Sequence, residues 1–545
     1  MTEAARGAHI SPRNMYGETG GLGSFVRALI REGSLEARVF PKERGRGGLV
    51  SKLRVAYDRK PVQAFVDSLA LGKTLRRQSG GLDRTKIAVL PFASMSRNPS
   101  DADFADGVCE ELISRLSIVS GLSVISRTST LAYRATDKTA PEIGSELSAG
   151  SIIEGSVRKS GNRIRVTIQL IDANTDGHVW AQSYDRELGD IFEIQSDVSE
   201  KVTEFLKVKL LPSESQRMGT PPTSSTKALA LYLKGRHYWG ERTEAGFEKA
   251  IAYFEKAVEA DPNYALAYSG LANCFYFRAA YGFAERKAAS KRAREMVLRA
   301  IELDPDLAEA HASLGWVIYH EIDWNWRDAQ TELESAVRLK PSFSSAHQWL
   351  SILLSENGVH DRAIDEAKKA LELDPFSNAM QTTLAQAYWM AHREREGIEV
   401  LERAAAASPE FSSFYNYHAY LGLLRVSLGL YREGVKEMQT AVRLSHGQPV
   451  LKADLGYALG KAGKRVEALR ILHELESGKR GLVTTLNLAE VHLGLGNFDK
   501  CLGLLEAALK QRVPDFRTQV AGPIFGELSE SSRLKRILEL LEVPH

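Results

Sequence analysis

Two hydrophobic periods divide the chain. Between residues 86 and 211, short apolar runs of strand type interchange with helical faces. KIAVLPF (86–92) is a continuous apolar run. Phe104, Val108, Leu112, Leu116 and Val119 then recur at helical spacing over 101–121. LSVISR (122–127) predicts a second strand, and 141–149 a short second helix. In SIIEGSVRKSGNRIRVTIQLID, Ile164, Val166, Ile168 and Leu170 alternate with Arg163, Arg165, Thr167 and Gln169. Ser160-Gly161-Asn162 supplies a turn, so the stretch predicts a hairpin. A further turn at 174–177 leads into HVWAQSYD. A helix over 191–211, with Ile194, Val198, Val202 and Phe205 inward, completes a small α/β domain.

Beyond residue 226 the apolar positions follow helical spacing, in a pattern that itself repeats. Asp261-Pro262, Asp304-Pro305, Lys340-Pro341, Asp374-Pro375 and Ser408-Pro409 lie 43, 36, 34 and 34 residues apart. Gln448-Pro449 follows after 40, and Val513-Pro514 closes a later unit. Small residues keep fixed offsets: Ala370 and Ala363 before Pro375, Ala404 and Gly397 before Pro409, Ala257 and Ala250 before Pro262. A Leu-small pair, such as Leu350-Ser351 or Leu384-Ala385, marks the first helix of a unit. Small residues let paired helices approach, large ones fill the spaces between, and Pro ends the second helix. A period of about 34 residues with these offsets is the tetratricopeptide signature. About eight units are expected, the longest gaining its extra residues around 279–291 and the next within 322–326. The seventh is the weakest in pattern, and 533–543 reads as a closing amphipathic helix.

Composition narrows the class. Hydrophobic residues at 43% and charged residues at 26% fit an ordinary globular chain. Cys109, Cys274 and Cys501 lie too far apart for a disulfide framework or a zinc site, so no metal or other cofactor is expected. No apolar run approaches the roughly 20 residues of a membrane span, and the first residues lack a secretory core, so a cytoplasmic location without membrane contact is expected. Net charge is +2, but residues 1–85 hold 16 Lys/Arg against 8 Asp/Glu, or 16 − 8 = +8, leaving 2 − 8 = −6 for the rest. A basic arm on an acidic body suits phosphate contact, and Arg38, Lys42, Arg44, Arg46, Lys52 and Arg54 are the candidates for DNA. A solvated arm is the alternative.

IAVLPF, DFADGVCEELISRLS and the long stretch IIEGSVRKSGNRIRVTIQLIDANTDGHVWAQSYDREL, running on to DIFEIQSDV, resemble the TolB-amino-terminal-like (FlgO-like) domain. LGWVIYHEIDWNWRD and LELDP resemble the tetratricopeptide repeats that follow this domain in many bacterial proteins, so the resemblance covers 86 to about 515. In such proteins, including those of HilA-like architecture, an upstream winged helix, nucleotide cyclase or kinase usually declares the function. Residues 1–85 do not show the regular core pattern that such a module requires.

Motif searches return no catalytic set. His320-Glu321 is followed by Trp324 where a metalloprotease needs a second His, and neither a GxSxG elbow nor a kinase HRD/DFG set occurs. Gly72-Lys73-Thr74 lacks the opening Gly of a phosphate loop, since Asp67 stands there. His311, His347 and His492 read as packing or surface residues rather than ligands.

The expected fold class is therefore α/β plus all-α. A basic region (1–85) precedes the α/β domain (86–211), a linker (212–225), the repeats (226–514) and a capping segment (515–545). No enzyme activity is expected. A protein or peptide partner would lie on the concave face lined by the first helices, at Gln348, Ile352, Ser355 and Glu356, then Thr382, Gln386, Trp389 and Met390. Trp389 and Met390 suit an adaptable peptide contact, packing between repeats being their alternative role. Two further readings are a DNA-contacting regulator and an inactive remnant of a cyclase or kinase fusion.

Overall fold

The computed structural model describes residues 81–541 apart from 97–99, 320–324, 479–483, 512 and 514–515. The six basic candidates between 38 and 54 lie outside the described residues, as do residues 322–324 of the stretch 322–326 expected to lengthen the third unit.

The α/β domain is built on one sheet. Strand β1 (Lys86–Val89) is buried at every position. It lies between β3 (Ser123–Val124) and β4 (Ser151–Ser160), both parallel to it. β5 (Arg163–Asp172) and β6 (Gly177–Glu187) continue antiparallel beyond β4, giving the order β3-β1-β4-β5-β6, while β2 (Ala93–Ser94) pairs with β4 off this path. Along β5 the alternation holds: Ile164, Val166, Ile168 and Leu170 are buried, and Arg163 and Arg165 are exposed. Ser160 still pairs with Arg163, so the turn is Gly161-Asn162, tighter than expected. Gly161 sits at φ +61°, the left-handed value that a type II′ turn asks of its first central residue.

Helices α1 (Ser100–Leu116) and α4 (Ile191–Phe205) pack on one face of this sheet, through Val108, Leu112 and Leu116 and through Ile194, Val198 and Val202. Helix α3 (Ala140–Leu147) covers the other face through Ile143 and Leu147, which meet Ala88, Ile152 and Ile171. Strand β3 is shorter than LSVISR suggested, because Ser126 turns the chain into α2 (Arg127–Thr130) by capping the N–H of Thr128. The helix expected over 191–211 ends at Phe205. The stretch expected as a linker instead carries α5 (Pro212–Gly219). Pro212 takes its first position. Glu214 accepts from the N–H of Leu211 at 2.8 Å and of Ser120 at 2.9 Å, so one carboxylate starts α5 and fastens it to the domain.

Among the described residues, sixteen further helices pair into eight units, each with a first helix A and a second helix B. Unit 1 is Thr226–Gly240 and Glu244–Ala260; unit 2 is Ala265–Ala280 and Arg286–Leu303; unit 3 is Ala308–Tyr319 and Trp326–Leu339. Unit 4 is Ser344–Glu356 and His360–Leu373; unit 5 is Asn378–Met390 and Glu394–Ala407; unit 6 is Tyr415–Ser427 and Tyr431–Leu444. Unit 7 is Pro449–Lys461 and Arg465–Glu476, and unit 8 is Thr485–Gly494 and Phe498–Gln511. The extra length of unit 2 goes into both helices, 16 and 18 residues against 13 and 14 in unit 4. The small residues sit where the helices touch. Ala363 and Ala370 have no exposed surface, and the Ser351 hydroxyl donates to the Ala363 carbonyl at 2.8 Å, tying helix A to helix B.

The turns that end the B helices also grip the α/β domain. Ser342 Oγ accepts from the N–H of Val124 and donates to the Leu122 carbonyl, both at 3.1 Å, and the N–H of Ser126 donates to the Leu373 carbonyl at 2.7 Å. The open edge of β3, which would otherwise present unpaired backbone, is thereby closed by the array. The pre-proline residues add to the strip. Lys340 Nζ donates to Ser114 Oγ at 2.7 Å and pairs with Glu309, and Asp374 accepts from Ser129 Oγ at 2.6 Å. Arg236 of unit 1 pairs with Glu110 of α1 at 2.5 Å, completing a second point of attachment.

Candidate partner-binding surface

The eight positions assigned to a concave face lie on the A helices of units 4 and 5, but most are not open. Ser355 and Glu356 are each 2% exposed, and Thr382, Trp389 and Met390 are also buried. Trp389 donates its indole N–H to Ser427 Oγ at 2.9 Å, which joins unit 5 to unit 6, and Met390 packs in the same apolar cluster. Thr382 turns its hydroxyl back on the Asn378 carbonyl at 3.0 Å. These five side chains are thus covered and are not presented as anchors in this structure. The reason is geometric: successive A helices lie against one another, so a residue on their shared face meets the next helix before it meets solvent. Gln348, Ile352 and Gln386 are the half-exposed remainder, with Gln348 Nε2 donating to Thr383 Oγ1 at 3.0 Å across the unit 4–unit 5 boundary.

Inner positions that the sequence did not mark carry charge. Asp454 and Glu490, on the A helices of units 7 and 8, are buried. Burial pushes Asp454 up to about 7, and it pushes Glu490 well above the carboxylate range, with the Asp454 charge adding to the shift. The half-exposed Tyr420 of unit 6 feels the charges of Glu356 and Asp454, and its phenol is raised mainly by burial. No local pattern distinguished these acids from surface ones, since each stands singly in an otherwise regular helix.

The segment after unit 8 folds back over the array. Arg517, 2% exposed, donates Nε–H to the Leu541 carbonyl at 3.1 Å and Nη2–H to the Asn357 amide oxygen, and its guanidinium lies 5.4 Å from the Trp326 ring centre. Glu527 accepts from Tyr457 Oη and Lys461 Nζ, each at 2.9 Å. The closing helix runs Ser532–Leu540, with Leu534 and Ile537 buried. Through Arg517 this segment is fastened to the turns of units 3 and 4, and through Glu527 to unit 7.

Cys109, Cys274 and Cys501 are buried and unbonded to one another, and desolvation pushes the Cys109 thiol up to about 12, which keeps it protonated. Among the described residues, no group of three or more His, Cys, Asp and Glu side chains is arranged to hold a metal ion, and no helix is long and apolar enough to cross a membrane.

Comparison with known proteins adds the following. Residues 83–201 match the HilA/YgeH-like transcriptional regulator, second domain, and residues 247–264 and 325–378 match tetratricopeptide repeats. A Rhizobium meliloti protein named "Putative adenylate cyclase 3" is 32% identical over 295 residues, which is 53% of this chain and 42% of that protein. The transcriptional regulator HilA of Salmonella typhimurium is 24% identical over 160 residues, 29% of either chain. The chain therefore spans less than half the length of these relatives. Among solved structures, yeast Tom70 covers 64% of this chain at 14% identity, with a TM-score of 0.36. The chain thus carries a HilA-like second domain followed by tetratricopeptide repeats; a mostly helical array with a small mixed sheet in front is what both sequence and coordinates describe.

Proposed function

We propose that this chain is a protein-binding scaffold of a bacterial signalling or regulatory system. Its α/β domain, of TolB-amino-terminal-like type, and its repeats act as one body. The partner lies along the A helices of units 4 and 5, at Gln348, Ile352 and Gln386. One observation carries this reading: a tetratricopeptide match covers the second helix of unit 3 and all of unit 4, and the A helices of units 4 and 5 still offer polar and apolar side chains to solvent. The reading assigns the chain no catalysis; the relative named as a cyclase is the observation that stands against it. A photo-crosslinking residue at Gln348 or Gln386 of the full-length protein is expected to give a discrete protein adduct in the native host, and one at exposed Arg395 on a B helix is not. Adducts from neither concave position would end this reading.

A second reading has its own support. The likeness of 83–201 to a domain of transcriptional regulators favours a DNA-contacting protein that uses Arg38, Lys42, Arg44, Arg46, Lys52 and Arg54. Fluorescence anisotropy with mixed-sequence duplex DNA tests it. Binding that weakens steeply with salt, and is lost in a chain shortened to 86–545, is the expected result; no binding by the full-length chain at low salt would exclude it.

A further inference from the structure

In units 2 to 8, the residue three places before the Leu-small pair of helix A is Tyr268, His311, His347, Gln381, His418, Lys452 and Thr485 in turn. The three histidines make the same two contacts. His311 Nδ1 lies 2.6 Å from Glu332 Oε2, and its Nε2 lies 2.7 Å from the Pro305 carbonyl oxygen. For His347 the partners are Glu366 at 2.6 Å and the Pro341 carbonyl at 2.9 Å. For His418 they are Glu437 at 2.6 Å and the Ser412 carbonyl at 2.9 Å. Each ring therefore spans three places: the turn that enters helix A, helix A itself, and helix B of the same unit.

Both partners of each ring are acceptors. A carbonyl oxygen has no proton to give, and a carboxylate is ionised near neutrality. A neutral imidazole has one N–H, so it must leave one of the two oxygens facing a lone pair; the imidazolium has two and satisfies both. The geometry therefore fits the protonated ring.

Two of the other occupants, in units 7 and 5, fit the same pattern. Lys452, a cation throughout the neutral range, reaches Glu474 of helix B at 3.1 Å. Gln381 donates Nε2–H to the Pro375 carbonyl at 3.0 Å. Nineteen residues on, where Glu366 answers His347 and Glu437 answers His418, the chain carries buried Val400. Where helix B offers a carboxylate the position holds a potential cation, and where helix B is apolar it holds a neutral donor.

The charges around the rings are few. The hydrogen bond that His311 donates to Glu332 raises it above the ordinary imidazole value, against the effect of burial and of Arg338. Glu366 on helix B faces His347. At His418 the carboxylate is shared: Arg425 of the same helix donates to Glu437 Oε1 at 2.8 Å and pairs with Glu402 at 3.3 Å, and the Tyr417 ring stands edge-on at 5.0 Å. Burial works against the ionised form of Glu437, but His418 and Arg425 outweigh it and hold its carboxyl below the usual range. His492 lies elsewhere on its helix and meets Asn497 at 3.3 Å, so it is not part of this set.

We propose that the repeat array is a proton-regulated scaffold. One proton taken up at His311 clips helix A to helix B in unit 3, and loss of that proton as pH rises through its folded value loosens the unit; His347 and His418 repeat the two contacts in units 4 and 6. This goes beyond the partner-binding reading and does not depend on it. A base that is raised on folding contributes stability that is complete below the unfolded imidazole value of 6.5 and is lost as pH rises through the folded one. Asp454 and Glu490, also raised, act in the same sense from about pH 4 upwards, so the contribution of the clip is the difference between proteins with and without it.

The test compares full-length protein with its H311Q variant, by urea unfolding between about pH 6 and about pH 8.5. The natural chain is expected to lose more stability over this interval than the variant. A clip that binds its proton ten times more tightly in the folded array changes the folded-to-unfolded ratio by up to about tenfold. Gln381 shows that glutamine fits this position, and circular dichroism checks that the variant folds. Independently of any variant, exchange of the imidazole Cε1 protons, followed by mass spectrometry, titrates each histidine in the natural protein. His311 is expected to titrate at higher pH folded than in urea. Equal pH dependence of the two proteins, or equal titrations folded and unfolded, would overturn the proposal.

Discussion

Asp374→Leu in the full-length chain is expected to lower the unfolding midpoint sharply and to expose the segment between α5 and unit 1 to protease, whereas Asp374→Asn leaves both nearly unchanged. Asp374 is 3% exposed and stands at the proline turn of unit 4. Burial raises it to about 6, while hydrogen bonds from Ser129, Ser126 and Thr128 draw it back in part. The same Ser129 hydroxyl accepts from the N–H of Phe376 at 3.0 Å, so the carboxylate organises both sides of the contact. Leucine removes the acceptor and strands buried hydroxyls, at about 1–3 kcal/mol for each group left unsatisfied. Asparagine keeps an acceptor and sheds a charge that is costly to bury. Thermal unfolding together with limited proteolysis distinguishes the outcomes. A leucine variant that melts and is cut like the natural chain would show that this strip does not hold the α/β domain.

The second large effect is expected at the crossing of units 7 and 8. A Cβ placed on Gly460 would lie 2.4 Å from the backbone C and O of Gly494, and one on Gly494 would lie 2.5 Å from the Tyr457 carbonyl oxygen. Backbone cannot step aside as a side chain can, so any larger residue must drive the two A helices apart. Gly460→Val and Gly494→Val are each expected to cost about 3 kcal/mol or more, the upper range for overpacking a core. Gly503 is the internal control: the nearest atom to its Cβ position is Arg533 Nη2 at 3.9 Å, so Gly503→Ala is expected to stabilise its helix by up to about 1 kcal/mol. Urea midpoints of the three variants decide the matter. Valine variants that unfold like the natural chain would mean that the helices do not cross this closely.

The fold was legible wherever a residue type is dictated by its immediate neighbours along the chain. The prolines, alanines and Leu-small pairs of the repeats are such residues, and so is the alternation along β5. Features that depend on partners distant in sequence left no such mark. Asp374 read as punctuation, yet its acceptor role depends on Ser129, 245 residues away. Trp389 and Met390 looked like anchors because an isolated helix would expose them; the next unit covers them. His311 and His347 read in sequence as packing or surface residues, and their shared contacts needed the Glu on helix B and the carbonyl before helix A to be seen together. The basic region keeps its charge asymmetry as its chief statement, and its phosphate-contact candidates await the binding measurement.

The bond from Arg517 to Asn357 also bears on how this array can change over generations. A solenoid with two loose ends tolerates gain or loss of a module, because every junction is much like every other. Here the end is secured to a point 160 residues earlier. Duplication or deletion of one module between unit 4 and the closing helix would carry Arg517 away from its acceptor by a full repeat. A change of copy number in this half of the molecule would therefore cost this contact, whereas substitution within a unit leaves it in place.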